Sequence, residues 1–226
     1  GAGLTAEVPA VPALASRSRA PVLSFGDRGE VRAREVRLDD DLRASFRLES
    51  PWGRAQVHLT ARGVHMVPNA LSAAAVGLFL GVSPEAAAAG LAEAELSPWR
   101  MEVALAPSGV VVINDTYNAN PESMTAALDA LVLVPGEGRR VAVLGMMAEL
   151  GDWSDNQHSR IAAYAETLGI EVIPMGTDLY GAGASHDMEA ALDAYKELNL
   201  RTGDAVLVKG SRVVGLEEFA RKVLDG

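Results

Sequence analysis

The stretch Val110–Pro121, with the sequence VVVINDTYNANP, changes from an apolar run to a polar loop that ends in a proline. The β-branched residues at its start predict a buried strand. Asn120 and Pro121 then have the residue types preferred at the N-cap and in the first turn of a helix. A strand joined to a helix by a short loop is the repeating unit of parallel α/β sheets, so this stretch predicts the fold class.

The same alternation continues to the end of the chain. Short apolar runs alternate with longer helix-compatible segments, which predicts an α/β fold with a Rossmann-like, open, mostly parallel sheet and helices on both faces. The predicted strands are 110–114, 140–144, 171–175 and 205–208, and the predicted helices are 121–134, 155–168, 187–198 and 216–224.

The first half of the chain has a different pattern. Three short segments separated by turn signals predict an antiparallel meander, and two alanine-rich segments with a proline near the start predict consecutive helices. We place a domain boundary after Ala106, which gives domains of residues 1–106 and 107–226. The predicted elements are a strand at 22–25, a meander of 31–38, 43–48 and 55–60, and helices at 68–80 and 84–96.

Composition narrows the function classes. The chain has 226 residues, 49% of them hydrophobic, and a formal net charge of −10. A core of this size favours folded domains, and the negative charge argues against a general electrostatic grip on nucleic acid or an anionic membrane. Because cysteine is absent, a disulfide framework and a thiolate metal site are excluded. The sequence contains no membrane-spanning apolar run and no signal-peptide pattern, so we expect a cytoplasmic protein.

Polar residues follow the strand at 110–114, at the kind of position where ligands bind in parallel sheets. Asp115, Tyr117 and Asn118 offer a carboxylate, a phenol and an amide there. Helix capping is a sufficient explanation for Asn120, but it does not account for the other three. We therefore expect those three side chains to contact a ligand.

Two further strand ends carry charged residues. Lys209 and Arg212 follow the strand at 205–208 and suit a carboxylate or phosphate, although solvated basic residues in a surface loop explain the spacing equally well. Glu149 can be a base or a solvated charge, and His158 is similarly ambiguous. The sequence contains neither paired metal ligands at a suitable spacing nor the phosphate-loop pattern Gly-x-x-x-x-Gly-Lys-Ser/Thr.

Five segments together resemble the Mur ligase family. Residues 115–124, DTYNANPESM, resemble the signature with which the D-alanyl-D-alanine-adding Mur ligase opens its C-terminal domain. The chain departs from the family pattern at Met66, Trp99 and Met146, which stand where a polar residue, a glycine and an aspartate are usual. The other segments are GVHMVPNAL at 63–71 and WRMEV at 99–103, similar to the central ATPase domain, and VLGMMAELG at 143–151 and LVKGSR at 207–212 further along.

The resemblance implies an ATP site between two domains, with a substrate site beside it. The residues expected at ATP are Asn69 at the adenine, Arg100 at the phosphates and Asp115 at the ribose hydroxyls. The residues expected in the cleft or near the incoming amino acid or dipeptide are Tyr117, Asn118, Asn120, Lys209, Ser211 and Arg212. Further candidates are His65, Glu149 and His158.

The resemblance also implies a reaction. The family activates the carboxylate of a cell-wall precursor with ATP and Mg²⁺ and then joins it to an amine; here the implied partners are UDP-N-acetylmuramoyl-tripeptide and D-alanyl-D-alanine. The phosphate loop and the metal ligands would lie upstream, in a missing N-terminal part of the same protein, so we expect this chain alone to be inactive. The alternatives are a Mur-type ligase that adds another amino acid, against which the run 118–121 argues, and a non-catalytic binding or interaction module.

Overall fold

The computed structural model describes residues 2–5, 15–181, 183, 185 and 187–226, and the chain divides into two compact units, Gly1–Leu96 and Ser97–Gly226. Within the described residues, every helix is too short or too polar to traverse a bilayer. The division precedes the boundary placed after Ala106, because residues 102–105 form a strand in the sheet of the second unit. The limits of the family's domains within the chain stay a prediction.

The first unit contains the predicted antiparallel meander and two helices. Phe46 and Leu48 pair with Val57 and Ala55 on the neighbouring strand, so apolar side chains line one face of the sheet. Helix packing against this face buries an apolar stripe at helical spacing. The elements are β1 (Ala2–Thr5), β2 (Val22–Phe25), β3 (Arg32–Leu38), β4 (Arg43–Ser50), β5 (Gly53–Arg62), α1 (Met66–Phe79) and α2 (Pro84–Ala92).

The second unit is an α/β sheet of five strands, which confirms the predicted fold class. The strands are β6 (Glu102–Leu105), β7 (Val111–Asp115), β8 (Arg140–Gly145), β9 (Glu171–Met175) and β10 (Ala205–Lys209). Their order in the sheet is β6-β7-β10-β8-β9, and all neighbours are parallel except β6, which runs antiparallel to β7 at one edge. The helices are α3 (Pro121–Val132), α4 (Ser154–Thr167), α5 (Met188–Glu197) and α6 (Leu216–Asp225).

Helices cover both faces of this sheet. Val206 and Val208 of the central strand β10 share an apolar core with α5 and α6, whereas the alternating residue Leu207 points to the opposite face. On that opposite face α3 packs against β8 and β10, and α4 packs against β9. Both faces of the inner strands are therefore buried, as the continuous apolar runs predicted.

The carboxyl ends of β7, β8 and β10 lie side by side, because β10 pairs with both of the others. Lys209 at the end of β10 is in register with Asp115 and with Leu144. The glycines that follow allow the loops to approach closely: a Cβ on Gly210 would lie 3.0 Å from the Cα of Gly145. Three loops thus meet at one edge of the sheet.

Candidate functional site

A buried ion pair lies where these strands end. The Lys209 ammonium donates to Asp115 Oδ2 at 2.5 Å and to the Asn118 carbonyl at 3.0 Å, and Lys209 is only 1% exposed. The other carboxylate oxygen, Asp115 Oδ1, accepts the Met101 amide at 3.1 Å. The positive charge of Lys209 is therefore directed at Asp115, while the carboxylate still has unused lone pairs for a further donor.

Polar contacts fix the segment that precedes β6. Glu102 accepts the Trp99 amide at 3.0 Å and the Asn114 side-chain amide at 3.4 Å, and Thr116 donates its hydroxyl to Asn114 at 2.8 Å. The Tyr117 amide donates to the Trp99 carbonyl at 3.1 Å. Sequence reasoning missed the role of Glu102, Asn114 and Thr116, although their polarity beside a strand end was a usable signal.

Two arginine side chains each lie over an aromatic ring. The Arg100 guanidinium is 4.0 Å from the centroid of Tyr117, and the Arg212 guanidinium is 4.1 Å from that of Trp99. Within the described part of the chain, neither guanidinium has a hydrogen bond or an ion pair, and both residues are exposed. A stacked guanidinium keeps its in-plane N–H groups available, so both arginines can receive a carboxylate or a phosphate.

Ser211 joins the three strand-end loops. Its hydroxyl oxygen accepts the Ala148 amide at 2.8 Å and its hydroxyl donates to the Ala119 carbonyl at 3.5 Å. Its own amide donates to the Met146 carbonyl at 3.0 Å. Because Ser211 is 4% exposed, it is a fixed polar group between the loops rather than a freely rotating surface hydroxyl.

His158 is fully buried and does not face solvent. Its Nε2 accepts the Met147 amide at 2.8 Å and its Nδ1 donates to the Ser154 carbonyl at 2.7 Å. The ring of Tyr180 contacts it edge-on, with centroids 4.9 Å apart, and the Tyr180 hydroxyl donates to the Gly145 carbonyl at 2.9 Å. Burial raises the pKa of Tyr180 far above its ordinary value. The His158 and Tyr180 side chains therefore both hydrogen-bond to the backbone of the loop after β8.

The side chains of the asparagines after β7 accept hydrogen bonds from backbone amides close to them in the sequence. Asn120 accepts the Ser123 amide at 2.8 Å and Ser123 accepts the Asn120 amide at 3.1 Å, which forms the capping box of α3. Asn118 accepts the following amide, that of Ala119, at 2.9 Å. Capping thus accounts for the side-chain oxygen of Asn120, as its position before Pro121 indicated.

Asn120 also lines an open groove of about 960 Å³ between α3 and α4. Glu149 lies at its rim in a left-handed backbone conformation, φ +65°. The groove also contains Trp153, a residue missed by sequence reasoning, whose side chain stands 69% exposed. Glu149 is therefore an exposed lining residue of this groove.

The remaining candidates, Asn69 and His65, belong to the first unit. Asn69 is exposed on α1, and its side-chain amide lies 3.6 Å from the sulfur of Met66. His65 lies just before α1 and packs over Gly63, where a Cβ would come within 2.4 Å of its ring. Gly63 has φ +89°, so a glycine is required there on both counts.

The described residues do not form a cation site of the usual kind. Among them, no three His, Asp or Glu side chains are grouped as metal ligands. The residues at the strand ends instead combine one paired carboxylate, two available guanidiniums and a fixed hydroxyl. This set can bind an anion and orient a hydroxyl donor.

Known proteins are similar to this chain in sequence and in fold. The family model "Mur ligase, glutamate ligase domain" matches residues 99–212. The UDP-N-acetylmuramoyl-tripeptide–D-alanyl-D-alanine ligase of Mycobacterium tuberculosis H37Rv is 40% identical over 96% of the chain and 49% of its own length. The ligase of the same name from Escherichia coli K12 is 35% identical over 80% of the chain and 41% of its own length. The chain thus spans about half the length of the curated relatives it matches.

Solved structures agree. A crystal structure of MurF from Acinetobacter baumannii superposes with a TM-score of 0.88 at 29% identity, over 99% of the chain and 51% of that structure. MurF from Thermotoga maritima in complex with ADP superposes with a TM-score of 0.82 over 99% of the chain and 53% of that structure; at 24% identity this likeness shows the fold alone.

Proposed function

Because the chain belongs to the Mur ligase family, we propose that it is the part of an ATP-dependent amide ligase that joins D-alanyl-D-alanine to UDP-N-acetylmuramoyl-tripeptide. The name shared by its curated relatives supports this substrate pair. The activity belongs to a longer protein, since the chain matches only about half of each relative. A cytoplasmic location follows from the proposed nucleotide-linked substrate.

One observation carries the proposal: the buried Asp115–Lys209 pair at the ends of adjacent parallel strands. Desolvating both charges costs free energy that well-packed apolar residues would not cost. The ion pair holds the Asp115 carboxylate in a fixed position, and the carboxylate keeps lone pairs that can accept a hydrogen bond from a sugar hydroxyl. We therefore assign Asp115 to the ribose of ATP and Lys209 to the orientation of Asp115.

The other site residues follow from their available groups. Arg100 presents N–H groups for the phosphates, and Arg212 presents N–H groups for the carboxylate of the incoming dipeptide. The Ser211 hydroxyl contacts the Ala119 carbonyl only at the long distance of 3.5 Å, so its proton can turn to the same carboxylate. Tyr117 supports Arg100, and Asn118 supplies a carbonyl to Lys209. In the first unit, the exposed Asn69 is assigned to the adenine.

ATP supplies the phosphoryl group that activates the precursor carboxylate. The described residues do not by themselves form a Mg²⁺ site, and the sequence has no phosphate loop, so these parts must come from the rest of the protein. The role left to this chain is to orient the nucleotide and the amine substrate.

The test joins the chain to the part of the M. tuberculosis relative that the match leaves uncovered. ADP release should require both the tripeptide precursor and D-alanyl-D-alanine, and the unfused chain should release none. Turnover with glutamate or a diamino acid in place of the dipeptide would replace this proposal by the neighbouring ligase activity. A folded fusion without turnover on any amine would favour the non-catalytic module.

A second measurement addresses Asp115 directly. In the fused protein, Asp115→Asn should weaken ATP binding by about 1.5–3 kcal/mol, the contribution of a hydrogen bond to a charged group. The exposed helix residue Asp193 gives a matched control, since Asp193→Asn removes a carboxylate far along the chain on α5. Equal ATP affinities in both variants would reject the ribose assignment.

A further inference from the structure

The backbone after β8 continues in a regular way beyond the last paired residue. From Gly145 to Ala148 its polar groups alternate between two sides. The Met146 carbonyl and the Ala148 amide bond to Ser211, on the side of β10. On the other side, the Gly145 carbonyl accepts from Tyr180 and the Met147 amide donates to His158. On the β10 side the partners are the backbone amide and the hydroxyl of Ser211, whereas on the other side two side chains take the place of a neighbouring strand.

Hydrogen-bond chemistry sets the state of His158. Nδ1 lies 2.7 Å from the Ser154 carbonyl, which can only accept, and 3.4 Å from the Ser154 hydroxyl, which can accept as well, so Nδ1 carries the proton. Nε2 faces the Met147 amide, which can only donate, so Nε2 is unprotonated. The pattern requires the neutral Nδ1–H tautomer, and a group without an acceptor at this position leaves the Met147 amide buried and unpaired.

We propose that His158 and Tyr180 are positioning residues for Ser211. Consecutive peptide planes cannot move independently, so a displacement at Met147 rotates the two planes that bond to Ser211. The Ser211 hydroxyl is a useful donor only while Ala148 occupies its oxygen, because its proton then points away, toward Ala119 or a ligand carboxylate. The functional half of this inference rests on the proposed ligase activity, whereas the structural half does not.

The structural half can be tested on the chain as it is, without ligand. His158→Leu removes the acceptor, and His158→Gln retains a side-chain oxygen that can accept from Met147. Amide hydrogen exchange at Ala148 and Ser211, which His158 does not touch, should rise about two- to tenfold in the Leu variant, as expected for one lost hydrogen bond. The Gln variant should restore protection, and ¹⁵N spectra of the wild-type chain should show unprotonated Nε2.

A control separates this local effect from general loss of stability. Val223→Ala removes buried volume from α6, away from the loop. If it raises exchange at Ala148 and Ser211 as much as His158→Leu does, the proposal is overturned. Should the Leu variant fail to fold, Tyr180→Phe removes only the hydroxyl that bonds Gly145 and should raise the same exchange rates; unchanged rates there would also overturn it.

The functional half uses the fused ligase. His158→Leu should raise the KM for D-alanyl-D-alanine by about two- to tenfold with a smaller change in kcat, and His158→Gln should reverse most of that rise. Equal KM values in the Leu and Gln variants would contradict the positioning role. If the fused wild-type protein has no activity with the dipeptide, the proposed function fails, while the exchange data still decide the structural half.

Discussion

Both units contain clusters of opposite charges, but in different surroundings. In the first unit, Glu49 lies within 3.3–3.7 Å of four arginines whose side chains are 37–73% exposed. In the second, Lys209 and Asp115 form a single pair with side chains 2% and 13% exposed. The Glu49 side chain is 16% exposed, close to that of Asp115, so the clusters differ in their cations: the arginines remain exposed, whereas Lys209 is buried.

This difference teaches that burial, and not the number of ion pairs, marks the candidate site. Exposed pairs contribute little because water and salt already screen the charges. A buried pair is expensive to break, since either partner alone is left as an uncompensated charge in a poorly hydrated place. The two clusters therefore predict opposite sensitivities to substitution.

The largest effect is expected for Lys209→Met. It leaves the Asp115 carboxylate buried with only the Met101 amide, and we expect a loss of about 3–5 kcal/mol in unfolding free energy. The double variant Lys209→Met/Asp115→Asn removes both charges and should regain part of that loss. Urea denaturation of the wild type, of Lys209→Met, of Asp115→Asn and of the double variant gives the coupling free energy between the two residues. A single-variant loss under about 1 kcal/mol would erase the contrast between the clusters.

Asp204 provides an intermediate case, a buried carboxylate bonded to backbone amides. It accepts the Arg139 and Arg201 amides at 2.7 Å each. Burial acts to raise the pKa of Asp204, but these hydrogen bonds and the nearby arginine charges hold it below its ordinary value. Asp204→Asn should lower the free energy of unfolding, measured by urea denaturation at neutral pH, by about 1.5–3 kcal/mol.

The pH dependence of this cost has a definite sign. Because the folded-state pKa of Asp204 is lowered, its stabilisation is complete above the unfolded value of about 3.9 and is lost as the pH falls through the folded value. The difference in unfolding free energy between the wild type and Asp204→Asn should stay constant from pH 6 to pH 8 and shrink below about pH 4. A difference that widens on acidification would contradict this assignment.

Backbone strain gives a second contrast between the units. Left-handed residues of the first unit, Glu35 and Leu42, lie at a β-bulge and a turn, but Trp99 at φ +63° and Met101 at φ +51° flank Arg100. In Trp99→Gly, the relief of backbone strain and the loss of the Arg212 contact act in opposite directions. The unfolding free energy of this variant should therefore stay within about 1 kcal/mol of wild type. Trp99→Val, whose β-branch opposes this conformation, should cost about 1–3 kcal/mol. Equal costs for both would show that strain is unimportant here.

Most of the second unit could be predicted from sequence because its parallel strands are largely buried. Such strands are continuous apolar runs with clear ends; the predicted limits of 171–175 coincide with β9. Strand β6 was not predicted. It is a short, exposed edge strand with Leu105 68% exposed, and its apolar run of four residues, 103–106, is too short to distinguish a strand by period.

The candidate site was predictable only in part. The rule that strand ends converge correctly placed Asp115 and Lys209 at one edge, although 94 positions separate them. It could not show that Lys209 neutralises Asp115, because the insertion of β10 between β7 and β8 depends on packing of the whole sheet. The Trp99–Arg212 contact was equally hidden, since no local spacing relates the two residues.

The smallest effect is expected for Glu49→Gln, despite its four arginine partners. Burial acts to raise the pKa of Glu49, and the guanidiniums, Arg54 first, lower it below its ordinary value. Its contribution is therefore present above the unfolded pKa and lost on acidification. Once the charge is removed, the arginines still face water, so no buried charge is left unpaired. The effect should be smaller than that of Asp204→Asn in urea denaturation and should vanish in 1 M NaCl, where screening acts within about 3 Å. A loss that equals the Asp204→Asn loss and persists in salt would mean that the number of partners, rather than burial, governs both clusters.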